Sequence, residues 1–389
     1  MSSRVPEVHV VQINFFADPK CRPPAALLRE WHSLVDVAAA ATSAGARVTV
    51  VQASLVPDET VQSGIAFHFV APSVTGAPLA RAGAFRALVR DLAPDLFHVH
   101  GLGFPRDVLE LRKIAPSVPI LIQDHADRMP RFWRRAIWRR GAAAASGVSF
   151  CARAQAEPFQ RARLLAPGVG IFEIPESTSN FVPGDAIAAR VETGIDGSPA
   201  VLWVGHLNAN KDPFTVLEGV SAAARDLPGL RLWCCFASAP LLSAVEARVA
   251  GDPLLRERVH LLGRVPHERV ERLMQAADLF VLASHREGCS FALLEAMATG
   301  LTPIVTDIPA SRALIGNNAI GTLWRCGDPQ SLCSALRRGA AELASRPRAR
   351  VRAHFDRELS SAALGRKLFA AYRSVVGQRL HAAAGLVTP

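Results

Sequence analysis

Lysine is scarce in this chain: all but four of its 44 Lys and Arg residues are arginine, the four being Lys20, Lys113, Lys211 and Lys367. Each lysine therefore stands out. Long hydrophobic runs are missing too. Apolar stretches such as Val37 to Ala41 and Ala142 to Ala145 fall far short of the ~20 residues that a membrane-spanning helix needs. Any membrane contact is thus expected to be peripheral. The first residues lack the basic segment and apolar core of a secretory signal, so a cytoplasmic protein is expected. Cysteines number seven, an odd count without any C-x-x-C pair, which argues against a zinc site and for reduced thiols. Glycine and proline, 27 of each, are near average usage, which excludes a collagen-like or low-complexity chain. No repeat of roughly 20 to 50 residues is visible, which excludes a solenoid.

What is present is a globular chain of 389 residues, half hydrophobic and a fifth charged, long enough for about two domains. Its net charge of +10 favours anionic partners. The first half alternates β-branched runs with helical patterns, the signature of βαβ units and a parallel sheet. Strands are expected at 8–13, 47–52, 65–70, 96–100, 120–123, 148–150 and 169–174, with one long helix over 27–44 among the helices between them. A Ser, Thr, Asn, Gly and Pro-rich stretch then reads as a linker, and a second alternation follows. The expected division is 1–180, linker 181–198, second domain 199–347 and a helical segment 348–389. Two doubly wound domains facing across a cleft would place their ligand at the strand carboxyl ends.

The richest segment runs from Ser284 through Glu287-Gly288-Cys289-Ser290 to Glu295 and Gly300, directly after the apolar strand ending at Ala283. It implies strand, loop and helix. Ser290 is a candidate N-cap, and the amides of the following turn would form an anion site suited to a diphosphate. Glu287 in the loop and Glu295 on the helix would flank that diphosphate as acceptors for hydroxyls, the sugar at Glu287 and the ribose at Glu295. The plain alternative for either glutamate is a solvated charge; apolar neighbours of Glu295, among them Leu294 and Met297, argue against it there.

With its two glutamates eight positions apart, the run from Ala277 to Pro309 resembles the family 4 retaining glycosyltransferases of GT-B fold, the group 1 glycosyl transferases. The resemblance extends to Val204-Gly205-His206-Leu207 with Lys211, which is similar to the loop where the family holds the donor diphosphate with an Arg and, five residues later, a Lys. Here His206 stands in the arginine's place, so a fixed charge gives way to a titratable one. Asp95 to Gly101, Gln123-Asp124-His125 and Ile174-Pro175 resemble landmarks of the family's amino-terminal domain, where the histidine matching His125 contacts the donor sugar. The loop Asn14 to Pro24 departs from the family, which usually has a Gly pair there, and so do Phe236 to Ala239 and Pro309 to Ala313.

The resemblance implies an α/β protein of two Rossmann-like domains and a metal-independent, hexosyltransferase-like enzyme of cell-envelope or polysaccharide glycan synthesis, with no cofactor beyond its UDP- or GDP-linked sugar donor. Lys211, His206 and the Ser290 helix end would meet the leaving diphosphate, and an ammonium there would stabilise the charge that develops. The acceptor would be a glycan, a lipid-linked species or a small molecule. Arginines interleaved with aromatics from Arg128 to Arg140 suit peripheral contact with an anionic membrane at its inner face; the alternative is a solvated helix whose aromatics pack on the sheet. Nucleic acid is not expected, for no recognition module accompanies the patch. Two rivals stand beside the transferase: a sugar-nucleotide epimerase of the same fold and a non-catalytic binding protein.

Overall fold

The structure, a computed structural model, describes residues 7–384 except 75, 127 and 346. It comprises two compact units, one of residues 1–177 with 361–389 and one of residues 178–360.

In the first unit the order is β1 (Val8–Asn14), α1 (Pro24–Glu30), α2 (His32–Ser43), β2 (Ala46–Ala53), β3 (Asp58–Gln62), β4 (Ile65–Val70), α3 (Gly83–Leu92), β5 (Leu96–His100), α4 (Pro105–Ile114), β6 (Ile120–Gln123), α5 (Arg135–Ala143), β7 (Gly147–Phe150), α6 (Glu157–Arg161) and β8 (Gly170–Glu173). The sheet order is β3-β4-β2-β1-β5-β6-β7-β8, parallel except for the edge strand β3. Residues of β1, β5, β6 and β7 are buried almost throughout, as expected of strands covered on both faces. Phe85, Phe97 and Phe150 fill the core on one side of the sheet, and Phe67 with α2 fills the other.

The second unit contains α7 (Ala186–Thr193), β9 (Ala200–Gly205), α8 (Pro213–Ala223), β10 (Arg231–Phe236), α9 (Leu242–Ala250), α10 (Pro253–Arg256), β11 (Val259–Gly263), α11 (His267–Ala276), β12 (Leu279–Leu282), α12 (Phe291–Ala298), β13 (Thr302–Thr306), α13 (Pro309–Ile315), β14 (Thr322–Trp324), α14 (Pro329–Glu342) and α15 (Arg348–Glu358). Its all-parallel sheet has the order β11-β10-β9-β12-β13-β14. The chain thus builds outward from β9 on one side, then crosses back to lay β12 against β9, Leu279 opposite Val201. That reversal is a topological switch point, and it lies between β9 and β12. At Gly300 (φ 79) the turn from α12 into β13 needs glycine, since a Cβ would also stand 2.7 Å from the Arg348 carbonyl oxygen.

Four expectations change. The helix over 27–44 is two helices, α1 and α2, broken at Trp31 (φ −102, ψ 64) and entered through Pro23-Pro24. The strand β3, Asp-Glu-Thr-Val-Gln, is mostly exposed at the sheet edge and carries no apolar alternation that would announce it. The stretch 181–198 is no free linker: Asp185 caps α7 through the Ile187 and Ala188 amides, Gly194 (φ 76) ends it, and Arg190 pairs with Asp278 at 2.7 Å. Last, the segment 348–389 divides, because α15 packs on α12 of the second unit whereas α16 (Ser361–Ala384) packs on α2 of the first. Among the described residues no helix is long and apolar enough to cross a membrane.

Candidate functional site

The switch point of the second unit gathers most of the singled-out residues. Beyond β9 the chain passes Gly205 and His206 into a short 3₁₀ turn, where Asn208 caps the Lys211 amide and Asp212 (φ 44) then caps α8 through the Thr215 amide. Pro213 at the first helical position has no N–H to leave unpaired, so the turn and the helix start are set locally. Across the switch point, β12 leads through Ser284 to Glu287, Gly288, Cys289 and Ser290 before α12 begins. Lys211 and Glu287 meet there in a short, largely buried ion pair through Nζ and Oε1. A Cβ at Gly205 would press on the Trp203 ring at 3.3 Å and lie in ordinary contact with Lys211 Cδ at 3.7 Å.

Ser290 stands at the N-cap position of α12 with extended backbone, but its hydroxyl makes no capping bond and is buried without a partner. The first-turn amides of α12 lack intrahelical acceptors, so this end carries partial positive charge beside Lys211. Gly288 and Cys289, just before it, are buried. His206 is exposed, and its Nδ1 accepts a 3.3 Å bond from the Ser238 amide after β10. That leaves Nε2 as the nitrogen available to an anion.

Four residues that sequence reasoning gave no role, Asn210, Asp212, His285 and Cys326, tie these loops together. The His285 amide donates to Asn210 O at 2.9 Å, and Asn210 Nδ2 donates to Arg286 O at 3.0 Å. The His285 ring joins Asp212 Oδ2 (3.0 Å) to Cys326 Sγ (3.1 Å), linking the ends of β9, β12 and β14. Only the Asp-Pro pair at a helix start was a readable signal. Glu295 lies on α12 as expected and accepts from His267 Nε2 at 2.8 Å. That bond raises the His267 pKa above its usual value, with Glu268 and Glu271 adding to it and burial opposing it.

A pH dependence follows from this pair. Protonated His267 holds Glu295 most strongly, so if a ribose hydroxyl must displace it, donor affinity rises as pH climbs through the raised His267 value. Sugar-linked diphosphates do not titrate between about pH 6 and 8, so calorimetry over that range isolates the protein's contribution. His267→Gln should remove the rise; a rise that survives the substitution would discount the competition.

In the first unit, His125 follows β6. Its Nδ1 faces Glu176 Oε2 at 3.3 Å and its Nε2 faces His100 Nδ1 at 3.0 Å, so both ring nitrogens are engaged. A sugar contact by His125 needs one of these bonds exchanged. His98 and His100 are buried, and desolvation holds both well below the usual histidine range, His98 at about 3. They are neutral at pH 7. Tyr372 Oη on α16 bridges His98 Nδ1 (2.9 Å) and Gln12 Nε2 (3.2 Å). Among the described residues no group of three or more His, Cys, Asp or Glu side chains is arranged to hold a metal ion.

Residues 198–341 match the family described as Glycosyl transferases group 1. The GDP-mannose:cellobiosyl-diphosphopolyprenol alpha-mannosyltransferase of Xanthomonas campestris is 28% identical over 249 residues, 62% of this chain and 60% of that protein. The D-inositol 3-phosphate glycosyltransferase of Nocardia farcinica is 28% identical over 164 residues, 41% of this chain and 36% of that one. The chain therefore spans less than two thirds of either relative. Among solved structures, sucrose-phosphate synthase from Thermosynechococcus elongatus superposes with a TM-score of 0.68 at 19% identity, covering 96% of this chain and all of that one. Anabaena HepE in complex with UDP gives 0.71 at 14% identity, covering 94% and 100%. At these identities the likeness is one of fold, the GT-B fold of two Rossmann-like domains.

Proposed function

From the match of residues 198–341 to the group 1 glycosyl transferases, we propose that this chain moves a sugar from a UDP- or GDP-linked donor to a lipid-linked glycan acceptor, with retention. The observation that carries the reading is the meeting of Lys211 and Glu287 at the switch point, where doubly wound sheets bind their ligands. Donor binding exchanges that ion pair. The Lys211 ammonium turns to the diphosphate, Glu287 accepts hydroxyls of the sugar, and Glu295 takes the ribose. As the glycosidic bond breaks, negative charge builds on the leaving diphosphate beside Lys211, His206 Nε2 and the α12 amides. These groups are positioned beforehand, so stabilisation costs little reorganisation. The acceptor hydroxyl attacks from the face the diphosphate leaves, its proton passing to the departing phosphate oxygen, and positioning of the two supplies the remaining acceleration.

The mannosyltransferase relative is named for a diphosphopolyprenol acceptor, which supports the lipid-linked class and a place at the inner membrane face in cell-envelope or polysaccharide synthesis. The test is nucleoside diphosphate release from UDP- and GDP-sugars, with and without a polyprenyl-diphosphate glycan, in excess EDTA. Acceptor-dependent release that persists in EDTA is expected, because Lys211 supplies the positive charge. Conversion of the donor without acceptor would indicate an epimerase, uptake without release a binding protein, and release restored only by Mg²⁺ or Mn²⁺ a metal-dependent transferase.

A further inference from the structure

The connection 124–134 leaves the carboxyl end of β6 with His125 and turns, just before α5, into a 3₁₀ turn at Phe132–Arg134. Two large aromatics stand in water there: Phe132 is 76% exposed and Trp133 60%, with Met129 exposed nearby in sequence. Free energy favours removing such surface from water, and adjacent exposed Phe and Trp within an arginine-rich segment have no folding role. Their rings pack edge to face at 4.9 Å, and the Arg131 guanidinium lies 5.3 Å from the Trp133 ring. Trp138, by contrast, is 8% exposed and stacks on Phe159 inside the unit, so it belongs to the core.

The same stretch of chain carries Arg128, Arg131, Arg134, Arg135, Arg139 and Arg140, all exposed, with Arg139 Nε donating to Arg163 O at 3.1 Å. None makes an ion pair among the described residues. Six uncompensated guanidiniums in the segment that carries this apolar pair match one kind of surface in charge and polarity: an anionic bilayer, whose headgroups take the arginines and whose interfacial layer takes the rings. Trp133 has one neighbour edge-on and a guanidinium over it, which leaves it poorly placed to stack on a nucleobase.

We propose that Phe132 and Trp133 form a wedge that inserts into an anionic membrane, held by the flanking arginines, and that it presents the His125 end of the same connection to acceptors carried in that membrane. The second clause rests on the lipid-linked reading above; the first does not.

The experiment is co-sedimentation of the full chain with vesicles of phosphatidylglycerol and phosphatidylcholine, or of phosphatidylcholine alone, at low salt, with tryptophan emission recorded. Trp133 is far more exposed than the other tryptophans, so its insertion should shift emission to the blue. Binding to the anionic vesicles with that shift is expected. Replacing Arg131, Arg134 and Arg135 with Gln should lower partitioning on the order of 100-fold, each arginine near such a surface contributing about fivefold. Phe132→Ser with Trp133→Ser should lower it about tenfold or more. Trp133→Phe should keep most of the binding and lose the shift. All these side chains are exposed, so melting temperatures should hold, and nucleotide-sugar calorimetry on the same variants should be unchanged. Three results would overturn the wedge: no sedimentation at low salt, equal binding to phosphatidylcholine alone, or a single-stranded oligonucleotide that binds without the blue shift and displaces vesicles. Vesicle binding without any nucleotide binding would remove the transferase reading and leave the wedge, whereas transfer to a soluble acceptor without vesicle binding would do the opposite.

Discussion

Lys211→Ala is expected to lower kcat by roughly 10² to 10³, the usual loss when one preorganised group facing developing negative charge is removed. Lys211 is the cation that the fold places against Glu287 at the switch point, and its short 3₁₀ turn is capped by Asn208, so the ammonium is held rather than tethered. The apparent KM for donor should rise far less, since the α12 amides and His206 still contact the diphosphate in the ground state. Lys211→Arg should recover little, because a planar guanidinium does not place its charge as the compact ammonium of this largely buried pair does. The glutamates separate the remaining roles. Glu287→Ala should lower kcat chiefly, and Glu295→Ala should weaken binding of UDP or GDP. Initial rates with calorimetry on the four variants decide it: a Lys211→Ala enzyme within threefold of wild type, or equal losses of nucleotide affinity from both glutamates, would reject the assignment.

Tyr372→Ala is expected to destabilise the first unit by about 3 to 5 kcal/mol, the range for removing a fully buried aromatic with its cavity left behind. The ring is 0% exposed, and burial pushes its phenol above the usual tyrosine range, so the hydroxyl is neutral at every working pH. Tyr372→Phe keeps the ring but removes the group that serves both Gln12 Nε2 and His98 Nδ1. Two buried polar atoms then lose their partner, at a cost of about 2 to 4 kcal/mol. Calorimetry should resolve two transitions, the second unit's being the one that nucleotide raises. Only the other should fall in these variants. If Tyr372→Phe melts like wild type, the polar row around Gln12 is satisfied some other way.

What could be read in advance follows the reach of the interactions. The strand, loop and helix from Leu279 to Ala298 were legible because an apolar run ends in Gly-Cys-Ser and restarts with helical spacing, all within about twenty residues. Lys211 was legible because lysine is rare here. The partners were not. His267 and Glu295 are 28 positions apart, His285 and Cys326 are 41 apart, and Gln12 and Tyr372 are 360 apart. No local pattern marks such pairs, since they arise where elements distant in sequence pack together. Composition also misled: Pro, Ser, Asn and Gly between Pro175 and Pro199 hid a helix whose cues are the Asp185 cap and the terminating Gly194, and β3 lacks an apolar face to betray it.

The first unit is made of two distant pieces of chain, 1–177 and the helix that begins at Ser361. A ribosome makes the chain from its amino end, so the sheet carrying His98 emerges long before the helix that packs with its Leu96 and Leu121 and with Ala41 of α2. Meanwhile the contiguous residues 178–360 can complete their own fold. The unit begun first is therefore finished last, and its apolar face waits, open to aggregation or a chaperone, through the synthesis of the whole second unit. Expression of residues 1–177 alone should yield aggregate, and supplying 361–384 as a separate peptide during refolding should recover soluble protein.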